Sequence, residues 1–141
     1  MRFVSPIVIF VSLLVAGCIA PVKTRQGEQL PVGSERFQAH ALEVFKRQNN
    51  AITAVFDVID QASDEDAVRL DVAEQRLIEE CETLNNAAAK RRDGEVLGPR
   101  ILLNISSTIY PCDLATFEAE ELIREIDPNY LPLEQEDVPV L

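Results

Sequence analysis

Apolar residues recur at spacings of three and four along most of this chain, the period of a helix with one buried face. The first stripe is Phe37, Ala41, Leu42, Phe45, Ile52, Val55, Phe56 and Ile59. With Ser34 as a cap and Glu35 in the first turn, it predicts a helix over about 35–60. Gln48 or Asn49 interrupts it. The simpler reading is a solvated edge position; the sharper one is a buried polar residue that sets register. After a turn at 61–63, a second stripe runs through Ala67, Leu70, Ala73, Leu77, Cys81, Leu84 and Ala88. Asp64, Glu65 and Asp66 suit the positive end of its dipole; Lys90, Arg91 and Arg92, then Asp93-Gly94, suit its end. One helix is expected over about 64–92, forming an antiparallel hairpin with the first.

Gly98-Pro99 opens a third element, and proline fits a first helical position. Residues 100–110 suit a strand by composition, but Ile101, Leu102, Ile105 and Ile109 make a helical stripe, and no other strand is in view. A helix over about 99–110 is expected, ended by Pro111. Asp113 then caps a fourth helix, about 114–127, with Ala115, Ala119, Leu122 and Ile126 inward and Pro128 as its stop. Residues 19–33, with Pro21, Gly27, Pro31 and Gly33, read as a flexible tether. Residues 128–141 read as an extended tail carrying Glu134, Glu136 and Asp137. The fold class is therefore all-α: a small hairpin or bundle of three to four helices over 34–127, after an amino-terminal leader and a tether.

That leader changes the picture. Arg2 precedes an apolar run from Phe3 to Val15, and Ala16-Gly17 leads into Cys18. The run is shorter than the ~20 residues a spanning helix prefers and contains Pro6, so an export signal fits better. Val15-Ala16-Gly17-Cys18 resembles the lipobox of bacterial lipoproteins. The resemblance covers the leader only. It implies a signal peptide over 1–17, cleavage after Gly17, and acylation (palmitate-type chains) of Cys18. It also implies an envelope location. Because Ile19 rather than aspartate follows the cysteine, that location is the outer membrane facing the periplasm in a Gram-negative source. Stable anchoring needs two acyl chains or their equivalent, which a lipidated Cys18 exceeds.

The chain has 141 residues and a formal net charge of -11. A body this acidic is repelled by nucleic acid and by anionic head groups. Adhesion to the bilayer is then expected from the acyl chains, with only Lys23 and Arg25 beside the anchor favouring head groups. With Cys18 lipidated, Cys81 and Cys112 remain, and an oxidising compartment favours their bond. Spacing agrees. Cys81 to Arg92 and Pro99 to Tyr110 are helical paths of about 17 Å each, so an antiparallel return brings Cys112 level with Cys81.

Candidate chemistry is sparse. His40 is the one histidine, and no second one completes a metal site. Asp64, Glu65, Asp66 and Asp71 lack the glycine and glutamate of a calcium loop. Glu79, Glu80 and Glu82, like Glu118, Glu120 and Glu121, have the spacing of a solvated helix face. No phosphate loop, nucleophile elbow or dinucleotide fingerprint occurs, and no metal or cofactor is expected. The basic cluster Lys90, Arg91, Arg92 and Arg100 stands out on an acidic body as a patch for an anionic partner, although the helix dipole already accounts for the first three. The expectation is a non-catalytic envelope lipoprotein that binds or supports an envelope protein. A small-ligand carrier is the first alternative and an envelope enzyme the weaker one.

Overall fold

The computed structural model describes residues 21–133; Cys18, the leader before it and residues 134–141 lie outside the described residues. A short antiparallel hairpin, β1 (Val22–Lys23) and β2 (Gln29–Leu30), precedes four helices: α1 (Glu35–Ile59), α2 (Asp64–Glu80), α3 (Glu82–Arg92) and α4 (Pro99–Ile126). The fold is all-α apart from this hairpin.

Local chemistry sets most boundaries. The Ser34 hydroxyl accepts the Phe37 N–H at 3.1 Å, and Ser63 accepts the Asp66 N–H at 3.2 Å, so both helices start on a side-chain cap. α3 ends where Gly94 adopts φ 83° and the Glu95 N–H reaches back to the Lys90 carbonyl at 2.9 Å. Between α2 and α3 the helix falters at Cys81 alone (φ -96°, ψ 2°), while the Cys81 and Asn85 amides still bond one turn back. The two helices therefore make one rod.

The rods form an up–down–up bundle. Down α2, Arg69, Arg76 and Cys81 meet Glu125, Glu118 and Cys112 in that order, which is the reverse order along α4. α2–α3 is thus antiparallel to α4, and α1, turning into α2 over four residues, runs parallel to α4. One end of the bundle gathers the start of α1, the end of α3 and the start of α4. The far end gathers the α1–α2 turn and the end of α4. The core is a single cluster in which Phe37, Leu70, Leu77, Ile109 and Ile123 are the largest fully buried side chains. Ala51, Ala54, Ala115 and Ala119 let the rods approach closely. The Cys81–Cys112 disulfide, expected from helix arithmetic, is formed, with both residues buried.

Several expectations are corrected. Pro111 does not end a helix. α4 runs through it, and Asp113, expected as a cap, is buried in mid-helix. The hydroxyls of Ser106, Ser107 and Thr108 donate to carbonyls one turn back, at Leu103 and Asn104, just before the proline. The supposed tether is folded: Val22, Thr24 and Leu30 are buried, and the turn between the strands closes on Gly27 at φ 85°. The first helix is also rotated from its expected face, because Leu42 and Phe56 are exposed while Val44, Arg47 and Gln48 are buried. Asn49 sits at a solvated position, but Gln48 does not. At the start of the expected tail, Tyr130 folds back and its hydroxyl accepts a hydrogen bond from Asn50 Nδ2 at 3.1 Å.

Candidate functional site

The most concentrated chemistry is one that the sequence reading missed. Arg47 projects from α1 into the interface with α4. Its Nε donates to Glu120 Oε1 at 3.0 Å and its Nη2 to Glu120 Oε2, while Nη1 donates to Asp113 Oδ1 at 2.9 Å. From the hairpin turn, Arg25 places Nε 3.1 Å from Asp113 Oδ2 and stacks its guanidinium 4.2 Å from the Phe117 ring centroid. The Arg25 contact is ionic rather than a directed hydrogen bond, since its Nε has no aligned acceptor. Two cations thus face two carboxylates, with Glu43 at the margin, 4.0 Å from Arg47.

Arg47, Asp113 and Glu120 are each at most 5% exposed, so the charges are compensated by one another rather than by water. Burial alone would lower the Arg47 pKa; bonding to Glu120, then the charges of Glu120 and Asp113, outweigh it and the pKa is raised. Arg47 stays cationic, as a fork binding two carboxylates requires. Nearby, burial and the Glu120 charge push the Tyr130 phenol up, against the Asn50 hydrogen bond. These groups hold each other, α1, α4 and the hairpin in register.

The sequence did carry a signal. Arg47 and Gln48 break the α1 stripe, and Asp113, Thr116 and Glu120 break the α4 stripe, at positions where apolar residues are due. The interruptions have opposite charge. Glu120 is accordingly not on a solvated face, as the acidic spacing suggested, whereas Glu118 and Glu121 are.

The residues singled out from sequence lie elsewhere. Lys90, Arg91, Arg92 and Arg100 gather at the end of the bundle formed by the end of α3 and the start of α4, all exposed. Lys90 pairs with Glu95 at 3.3 Å and Arg92 with Asp93 at 3.3 Å, both on the surface. His40 is half-buried on α1. Among the described residues, no group of three or more His, Cys, Asp or Glu is placed to hold a metal ion, and no helix is long and apolar enough to cross a membrane. Two shallow clefts lie along the α2–α4 seam. One is bordered by Arg69, Phe117 and Glu125; the other by Val68, Val72, Ala115 and Leu122, with Val68 and Val72 more than 60% exposed. No family model, no curated protein and no solved structure matches the chain.

Proposed function

We propose that the protein is a membrane-anchored envelope lipoprotein with a non-catalytic, protein-binding or structural role. The observation that carries this reading is Val15-Ala16-Gly17-Cys18 at the end of an apolar leader. The Cys81–Cys112 bond supports it, because a lone cystine persists in an oxidising compartment, which export would supply. The buried ion cluster supports the non-catalytic part: its charged groups are spent on one another and on holding the bundle in register. Exposed Val68 and Val72 beside the α2–α4 seam give the envelope partner an apolar surface to meet.

The test is the intact mass of the membrane-extracted protein, with and without reduction. The expected chain begins at Cys18, carries added acyl mass and gains two hydrogens on reduction. A chain that keeps Met1 and carries no lipid overturns the reading. In-cell cross-linking from a photoreactive residue at position 72, on the exposed side of α2, then tests the binding role. A discrete adduct is expected, and its absence from membrane-anchored protein argues for a purely structural part.

A further inference from the structure

Few residues lie between Cys18 and the hairpin. Pro21 is the first described residue and Val22 is already buried, so three residues separate the anchor position from the hairpin, a reach of at most about 14 Å from Cys18 to Val22. The hairpin's own position is fixed. Its turn meets Asp113 and Phe117 through Arg25, β1 packs on α4, and β2 leads within four residues to the Ser34 cap of α1. Since α1 is parallel to α4 and Arg47 meets both Asp113 and Glu120, the start of α1 lies twelve residues, about 18 Å, below the Arg47 level. The open end of the hairpin, where Pro21 enters, lies between those levels. The chain thus enters in the half of the bundle that holds the end of α3 and the start of α4.

That half has a different charge from the rest. Residues 21–46 and 82–109 carry eight Lys or Arg against six Asp or Glu. Residues 47–81 and 110–133 carry four against fifteen. The four basic residues of the patch stand at the tip of the first half, around the loop that carries Val96, 93% exposed. Their ion pairs with Glu95 and Asp93 are exposed and weak, so they do not withhold the cations from another anionic surface.

We infer that this end of the bundle is a lipid-facing surface: Lys90, Arg91, Arg92 and Arg100, with Val96 among them, lie on the anionic head groups of the bilayer that holds Cys18. The inference rests on the lipoprotein reading above and deepens it. It replaces a domain lifted away on a tether with one seated upright on the membrane. The acidic far end, repelled by the same head groups, then points away from the bilayer and presents the α1–α2 turn and the end of α4. The net charge of -11 conceals this because it sums a basic half, an acidic half and the residues outside both.

The experiment uses the full acylated protein in two kinds of vesicle, phosphatidylcholine alone and phosphatidylcholine containing a quarter phosphatidylglycerol. A nitroxide is attached at Val96→Cys in one sample and at Asp60→Cys, on the α1–α2 turn, in another. With Cys81 and Cys112 bonded and Cys18 acylated, the new thiol is the only one to react. In the anionic vesicles the label at 96 is expected to lose access to a water-soluble relaxation agent several-fold relative to phosphatidylcholine alone. The label at 60 stays fully accessible in both. The quadruple variant Lys90→Glu, Arg91→Glu, Arg92→Glu, Arg100→Glu, checked for unchanged helicity, returns residue 96 to bulk water while the protein stays on the vesicles. An anchored chain whose residue 96 is equally accessible in both vesicle types overturns the inference alone and leaves the basic end as a surface for an anionic protein. A chain without acyl chains overturns the lipoprotein reading and this inference with it.

Discussion

Arg47 is the residue whose loss should cost most. Its guanidinium satisfies Glu120 through two nitrogens and Asp113 through the third. Removing one partner of a buried ion pair leaves an uncompensated charge and costs about 3–5 kcal/mol, whereas exchanging the whole set for neutral groups is often close to neutral. Arg47→Met should therefore lower the unfolding free energy from urea titration by about 3–5 kcal/mol. Adding Asp113→Asn and Glu120→Gln to Arg47→Met should recover a substantial part of the loss. A single variant that melts like the wild type would show that the cluster is decorative. A triple variant worse than the single would show that Arg25, which also meets Asp113, depends on that carboxylate more than the cluster depends on Arg47. The cluster was only half legible. The interrupted stripes announce buried polar residues, but the two elements they join are 66 and 73 residues apart in the chain, and no periodicity reports which interruption meets which.

The helices show which sequence rules prevail. Caps and apolar periods located the span of α1 and of the α2–α3 rod because side-chain capping and spacing agree there, although the buried face of α1 is rotated from its stripe. Rules resting on a single residue type fared worse. Proline at 111 removes one intrahelical hydrogen bond, yet Ile109 and Cys112 on either side are fully buried, and their packing and cross-link outweigh that local loss. A proline in a helix interior costs about 3 kcal/mol relative to alanine, partly offset by about 0.4–1 kcal/mol from a stiffer unfolded chain. Pro111→Ala should thus raise stability by about 2 kcal/mol in denaturant titration. A loss instead would mean that the proline sets a bend the Cys112–Asp113 turn needs. The hairpin was invisible for a different reason: two-residue strands are too short to show alternation, and glycine and proline serve a tight turn as readily as a flexible linker.

At the far end, α2 and α4 are joined by Arg69, which bonds Asp66 at 2.9 Å and Glu125 through two nitrogens at 2.8 and 3.2 Å. The Ser63 hydroxyl first, and then Arg69, hold Asp66 below the usual carboxylate range; Arg69 does the same for Glu125. Folded values below the unfolded ones contribute stability that is present above the ordinary carboxylate range and is lost as the pH falls through the lowered values. All three groups face water, so the effect is modest. The melting temperature of Arg69→Gln should fall below that of the wild type at neutral pH, and the gap should close on acidification through the carboxylate range. A gap that is independent of pH would mean that Arg69 acts by packing, not by charge.

For the whole molecule, the disulfide decides how much of the bundle holds when any one contact fails. Cys81 sits at the single falter in the long descending rod, and Cys112 is near the midpoint of α4, so the bond ties the weakest point of one rod to the centre of the other. Its sequence separation of 31 encloses the whole of α3, the 93–98 loop and the first half of α4, which are also the elements that carry the basic end. Closing a loop of this size removes unfolded-state entropy worth about 3–4 kcal/mol. This was the one long-range contact that the sequence disclosed, because two equal helical paths on either side of a short loop must bring their ends level. A Cys81→Ser, Cys112→Ser variant should therefore unfold at lower denaturant by an equivalent of about 3–4 kcal/mol. Native-state hydrogen exchange should rise most in α3 and the first half of α4 and least in α1, whose contacts with the second half of α4 run through Arg47. Uniform exchange across all four helices in that variant would show a single cooperative bundle in which the bond merely adds to the total. Exchange confined to the enclosed loop would show that the bond holds the basic end onto an otherwise self-sufficient pair of helices.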